Sequence, residues 1–178
     1  MKGFERKNKY LSLCGLNCAL CPMYIGGYCP ACGGGEGNQS CRIAACSIGR
    51  KVEYCFECGE YPCARYEGMD DADSFITHKN RRADFERAKT AGTDAYGAEQ
   101  REKEAILREF LRFDDGRSKS RFCLAVNLLG LDVLREILAE TSEAAFSRLS
   151  GKEQAAWLTA RFRGAAERAG VELRLRKK

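Results

Sequence analysis

CGLNCALCPMYIGGYCPACGGGEGNQSCRIAACSIGRKVEYCFECGEYPC, residues 14–63, contains ten of the eleven cysteines of this chain. They stand at Cys14, Cys18, Cys21, Cys29, Cys32, Cys41, Cys46, Cys55, Cys58 and Cys63. Cys18/Cys21, Cys29/Cys32 and Cys55/Cys58 are each separated by two residues. A backbone turn over such a gap aims both sulfurs at one point, which supplies half of a tetrahedral ligand shell. All ten are therefore candidate metal ligands. Between them, Gly26-Gly27 and Gly33-Gly34-Gly35 supply the positive φ that tight loops around an ion require. The apolar content of the stretch is thin, so the sequence predicts a loop-rich module that folds with its metal and is disordered without it.

Zinc is the expected ion. Four-cysteine zinc sites are structural as a rule: they keep no open position and contribute folding energy outright. Eight of the ten cysteines would close two such sites, leaving two as supporting or reactive thiols. A sequential pairing joins Cys18/Cys21 to Cys29/Cys32, and a crossed pairing joins an early knuckle to Cys55/Cys58. The crossed pairing is favoured, because only it ties the two ends of the module together. An iron–sulfur cluster is the alternative, since four cysteines also suit iron. Cys14-x3-Cys18-x2-Cys21 resembles the cluster motif of radical S-adenosylmethionine enzymes, but the chain has neither the length nor the βα alternation of their barrel. Dithiol redox chemistry ranks third, because no βαβ pattern accompanies the knuckles.

The rest of the sequence bounds this reading. At 178 residues, 44% hydrophobic and 31% charged, the chain matches ordinary soluble globular composition. No run approaches the roughly 18 apolar residues of a membrane span. Met1–Lys9 has no apolar h-region, so a secretory signal is not expected. Dense cysteines in a chain without export mean metal ligands before disulfides, and a cytoplasmic location. Eight ligating thiolates on two divalent ions would lower the formal charge of +5 to about +1, because ligating sulfur is deprotonated. That weakens any polyanion-binding reading.

Beyond residue 63 the pattern is helical. Asp70, Asp71, Asp73 and Ser74 are candidate N-caps for a helix from about Asp73 to Ala91, closed by Gly92. A second helix runs to about Phe113, with Ile106, Leu107, Phe110 and Leu111 on one face, and Asp114-Asp115-Gly116 breaks it. Residues 119–140 predict one or two core helices with Gly130 at a break. A short helix follows over Ser142–Leu149. Ser150-Gly151-Lys152-Glu153 has the form of a capping box opening a last helix, in which Leu158, Phe162, Ala165 and Ala169 share a face before Gly170. Tyr10–Leu13 and Val171–Arg176 suggest short strands.

Several residues invite function and have plainer readings. His78, the lone histidine, reads as a surface residue on a charged helix. Cys123 reads as a packing residue. Gly33–Gly37 lacks the Lys-Ser/Thr of a phosphate-binding loop and reads as a connector. Arg81, Arg82, Arg87 and Lys89, interspersed with Asp84 and Glu86, read as a solvent-facing helix. The basic end (Arg174, Arg176, Lys177, Lys178) reads as solvated. Tyr24, Tyr28, Tyr54, Phe56 and Tyr61 are the aromatics that could stack on bases.

Cys-Gly-Leu-Asn-Cys-Ala-Leu-Cys-Pro-Met-Tyr (14–24), Cys-Arg-Ile-Ala-Ala-Cys (41–46) and Cys-Phe-Glu-Cys-Gly-Glu-Tyr-Pro-Cys (55–63) resemble the family called domain of unknown function 3795. Its members are short, cysteine-rich proteins for which zinc binding is expected and no activity is agreed. His78-Lys79-Asn80-Arg81-Arg82 and Lys89-Thr90-Ala91-Gly92 are similar to the family's next segment. The resemblance covers about residues 10 to 113. It implies a metal module with the same ten cysteines as candidates, and no reaction.

The sequence thus predicts a mainly α protein: a cysteine-rich, loop-rich metal module over 1–68 and a helical domain over 69–178, packed as one unit. The expected cofactor is zinc, as two ions, with an iron–sulfur cluster as the alternative. The expected role is a binding or regulatory module for a protein or small-molecule partner. Nucleic-acid binding is less favoured, and no membrane partner is expected.

Overall fold

The computed structural model describes residues 4–35 and 41–177. Glu36 and Gly37 of the glycine connector, and Lys178 of the basic end, lie outside the described residues. The protein is mainly helical, with α1 (Pro22–Ile25), α2 (Arg42–Arg50), α3 (Arg81–Ala91), α4 (Thr93–Leu111), α5 (Lys119–Leu128), α6 (Leu131–Glu140), α7 (Ala144–Ser147) and α8 (Gly151–Arg168). Short 3-10 turns lie at Cys18–Leu20, Cys55–Glu57 and Ala64–Tyr66. No strand forms among the described residues; an isolated antiparallel bridge pairs Glu5 with Gly34. Tyr10–Leu13 and Val171–Arg176 are therefore not strands, because neither alternating segment finds a partner to accept its ladder bonds.

The chain divides into two compact units, Met1–Arg101 with Leu175–Lys178, and Glu102–Arg174. The first unit extends well past the boundary expected at residue 68. The reason is aromatic packing. Phe85 of α3 sits in a core with Leu11, Tyr54, Ala88 and Tyr96. Phe56 lies edge-on to Phe85 at 4.7 Å and Tyr61 at 5.4 Å, while Tyr54 stacks on Phe56 at 5.2 Å. The thin apolar content of the cysteine stretch is thus completed by residues outside it.

α3 begins eight residues later than its aspartates suggested. Asp73 does not cap it: its carboxylate accepts the His78 backbone N–H (2.7 Å), the Arg176 backbone N–H (2.8 Å) and the Arg176 guanidinium (2.9 Å). A side chain committed to a local turn competes with helix formation. Residues 73–80 therefore run as an irregular loop, and Arg176 is tied down instead of solvated. Gly92 closes α3 with φ of 91°.

In the second unit the predicted breaks hold. Gly116 has φ of 81° beyond α4, Gly130 is the N-cap of α6, and Gly170 has φ of 65° just past α8. Ser150 caps α8, accepting the Glu153 N–H while the Glu153 carboxylate accepts the Ser150 N–H at 2.8 Å. Phe162 of α8 is fully buried, 5.1 Å from the Phe110 ring and 5.5 Å from the Phe122 ring. Leu158 and Ala165 join it inside, but Ala169 is exposed. Cys123 is buried in α5.

Candidate metal centre

The ten cysteines fall into two groups around two cavities of the first unit. Cys14, Cys18, Cys21, Cys29, Cys32 and Cys41 line one of about 480 Å³. Cys46, Cys55, Cys58 and Cys63 line the other, of about 650 Å³. All ten are unbonded thiols. Among the described residues, no three His, Cys, Asp or Glu side chains stand in positions that hold an ion. The sulfurs are gathered on the cavity walls but not closed on a point.

Local chain geometry explains the first group. Cys18 opens a 3-10 turn closed by the Cys21 N–H on the Cys18 carbonyl (3.1 Å). Cys21 then precedes Pro22, which takes the first position of α1. Cys29 returns to this turn through its N–H on the Met23 carbonyl (3.2 Å). Between Cys29 and Cys32, Ala31 adopts a positive φ of 65°. A Cβ at Gly34 would stand 1.8 Å from the Pro30 carbonyl oxygen, so only glycine lets the loop close there. Cys41 is the N-cap of α2, its sulfur accepting the Ala44 N–H at 3.4 Å.

The second group draws on one helix and two turns. Cys46 projects from α2, Cys55 opens a 3-10 turn closed by the Cys58 N–H (3.1 Å), and Cys63 precedes the next such turn. Arg50 of α2 donates to the Cys58 sulfur (3.5 Å) and to Glu60 (2.7 Å). The crossed pairing is not what the structure brings together: Cys55/Cys58 line a different cavity from Cys18/Cys21 and Cys29/Cys32. The ends of the module are instead tied by the Cys55 N–H on the Leu13 carbonyl (2.9 Å). Leu13, Cys14 and Tyr66 also share one core cluster.

α3 holds the Cys14–Cys18 turn in place. Arg81, read from sequence as solvent-facing, is buried and donates to the Cys14 carbonyl at 3.0 Å. Its guanidinium also forks onto the Asp70 carboxylate at 2.6 Å to each oxygen, and lies over the Tyr66 ring at 4.8 Å. Asp84, likewise buried, accepts the Asn17 amide at 2.8 Å, and Tyr96 donates to the same Asn17 at 3.0 Å. Gly15 lies between these anchors with φ of 97°, where an added Cβ would stand 3.0 Å from both the Arg81 carbonyl and Phe85. Their alternation with acidic neighbours gave no sign of this inward role.

His78 is neither exposed nor helical. It is buried beside the first cavity, with Nδ1 2.8 Å from the Met69 carbonyl and Nε2 3.1 Å from the Ser74 hydroxyl. Of the aromatics that could stack on bases, Tyr54, Phe56 and Tyr61 are used in the core, while Tyr28 is 75% exposed.

Burial holds five of the thiols, Cys14, Cys18, Cys21, Cys32 and Cys55, toward the neutral form. Desolvation lifts Cys14 to about 11, partly offset by Ser12, whose hydroxyl lies 3.1 Å from the sulfur. Cys18 is raised well above an ordinary thiol by burial, then by Cys14, Cys32, Cys21 and Cys29. Burial likewise raises Cys21, Cys32 and Cys55, the last with further repulsion from Cys63, Cys46 and Cys58. A divalent cation reverses this balance, since it stabilises thiolates and expels their protons.

No family model, curated protein or solved structure matches this chain. Its function is therefore argued from the site alone. Cysteine sulfur dominates the donors: among the described residues the first cavity has six cysteines and His78 but no Asp, Glu, Lys or Arg in its wall, and the second has four cysteines with Glu60 and Glu67. That set suits a thiophilic ion such as zinc and not a hard, oxygen-seeking one.

Proposed function

We propose that this chain is a zinc-binding protein of the kind its cysteine strings resemble, with structural metal and a role as a binding or regulatory module. The observation that carries the reading is the grouping of all ten cysteines of residues 14–63 around two cavities. Binding requires the thiols to converge and lose their protons, after which the ion ties together turns that share little apolar surface. Thiolate ligands suit a reducing compartment, so the proposed location is the cytoplasm. Among the described residues, no helix is long and apolar enough to cross a membrane. The partner is proposed to be a protein or small molecule. Nucleic acid is less favoured because three of the five knuckle aromatics are packed inside the fold.

Elemental analysis of protein purified anaerobically without added metal tests this. At least one zinc per chain and a colourless solution are expected. Less than one zinc, with freely titrating thiols, refutes it. Iron and absorption near 400 nm, roughly where sulfur-to-iron charge transfer lies, would install the iron–sulfur alternative in its place.

A further inference from the structure

The uneven division of the cysteines bears on how many ions the protein holds. Resting on the zinc reading above, we propose that the six-cysteine cavity holds two divalent ions bridged by shared thiolates, and the four-cysteine cavity a third ion alone. Two tetrahedral ions have eight coordination positions between them. Four terminal sulfurs and two bridging sulfurs fill all eight, using six cysteines with none left over. A single ion in that cavity would leave two of its thiols idle. Two separate ions would need eight donors, and among the described residues the cavity does not supply them. His78 is engaged at both ring nitrogens, by Met69 and by Ser74.

The arrangement of the six fits one shared centre. All six line one cavity, brought there by the Cys18–Cys21 turn, the Cys29–Cys32 loop and the N-cap of α2.

A second observation points to an anion in this place. Two divalent ions on six thiolates carry a net charge of about −2. Arg6 is buried against this loop, with its N–H on the Gly33 carbonyl at 3.0 Å. Its Nη1 donates to the Leu11 carbonyl (2.7 Å), its guanidinium lies over the Tyr54 ring at 4.6 Å, and Nη2 is 3.9 Å from Glu53. A buried guanidinium packed against the loop that carries Cys32 is suited to balance an anionic metal–thiolate cluster.

The test is metal stoichiometry of the intact chain by native mass spectrometry, followed by exchange into spin-half cadmium for NMR. Three zinc ions per chain are expected, with two of the three cadmium signals split by coupling to each other through shared sulfur. Two zinc ions with two thiols that alkylate in the folded protein would overturn the bridged centre and leave the zinc reading standing. Three uncoupled cadmium signals would also overturn it. Less than one zinc per chain would remove both.

Discussion

Replacing Arg81 with alanine is expected to destabilise the first unit by about 3–4 kcal/mol. The figure follows from what Arg81 touches. Its side chain is 1% exposed and forks onto Asp70, whose side chain is 20% exposed. Breaking a buried ion pair by removing one partner costs about 3–5 kcal/mol. The lower end applies here, because Arg82 still reaches Asp70 at 2.7 Å. The Cys14 carbonyl loses a donor at the same time, which adds about 1 kcal/mol. With a urea dependence of about 2 kcal/mol/M, the unfolding midpoint falls by about 1.5–2 M. All seven tyrosines lie between Tyr10 and Tyr96, within the first unit, so tyrosine near-UV dichroism reports that unit. Arg81→Lys keeps the charge but not the fork and should recover less than half of the loss. Adding Asp70→Ala to Arg81→Ala should cost less than the sum of the single changes. A loss under about 1 kcal/mol in Arg81→Ala, or strict additivity with Asp70→Ala, would refute the inward role assigned to this arginine.

The same pair sets an acid dependence. The Arg81 hydrogen bond, with help from Arg82, holds Asp70 at about 2. A lowered carboxyl stabilises the fold above its unfolded value of about 3.9 and loses that contribution as pH falls toward 2. Acid titration of the tyrosine dichroism should show this loss in the wild type, and a smaller one in Arg81→Ala. In the second unit, Phe162→Ala removes a fully buried ring from between Phe110 and Phe122 and should cost about 3–5 kcal/mol, read from Trp157 fluorescence in urea. Ser150→Ala removes the cap of α8 and should cost about 1 kcal/mol by the same assay.

Much of the helical part was legible because its signals are local. Gly92, Gly116, Gly130 and Gly170 mark ends or breaks where the chain needs them, and the Ser150 capping box forms as written. What escaped depends on distant partners. Asp73 has the chemistry of an N-cap, but Arg176 engages it from over a hundred residues away. Arg81 and Asp84 are charged and flanked by charge, and only their contacts with Asp70, Cys14 and Asn17 reveal that they face inward. The terminal alternation looked like a strand, but alternation specifies a face and not a partner.

Within the candidate site, the ten cysteines were legible as a set and their grouping was not. Spacing aims a pair such as Cys55/Cys58 at a point, but it does not say which other pair shares that point. The Cys55 N–H on the Leu13 carbonyl already ties the ends of the module, so no shared ion is needed for that. Cys46 joins Cys55, Cys58 and Cys63 because α2 carries it away from Cys41, which caps the same helix.

The central claim is that these thiols bind zinc through sulfur alone. X-ray absorption at the zinc edge, on protein purified without added metal, tests it most directly. The expected spectrum has a first shell of sulfur only, at about 2.3 Å. An absent zinc edge, or a shell of nitrogen and oxygen at about 2.0–2.1 Å, would contradict it.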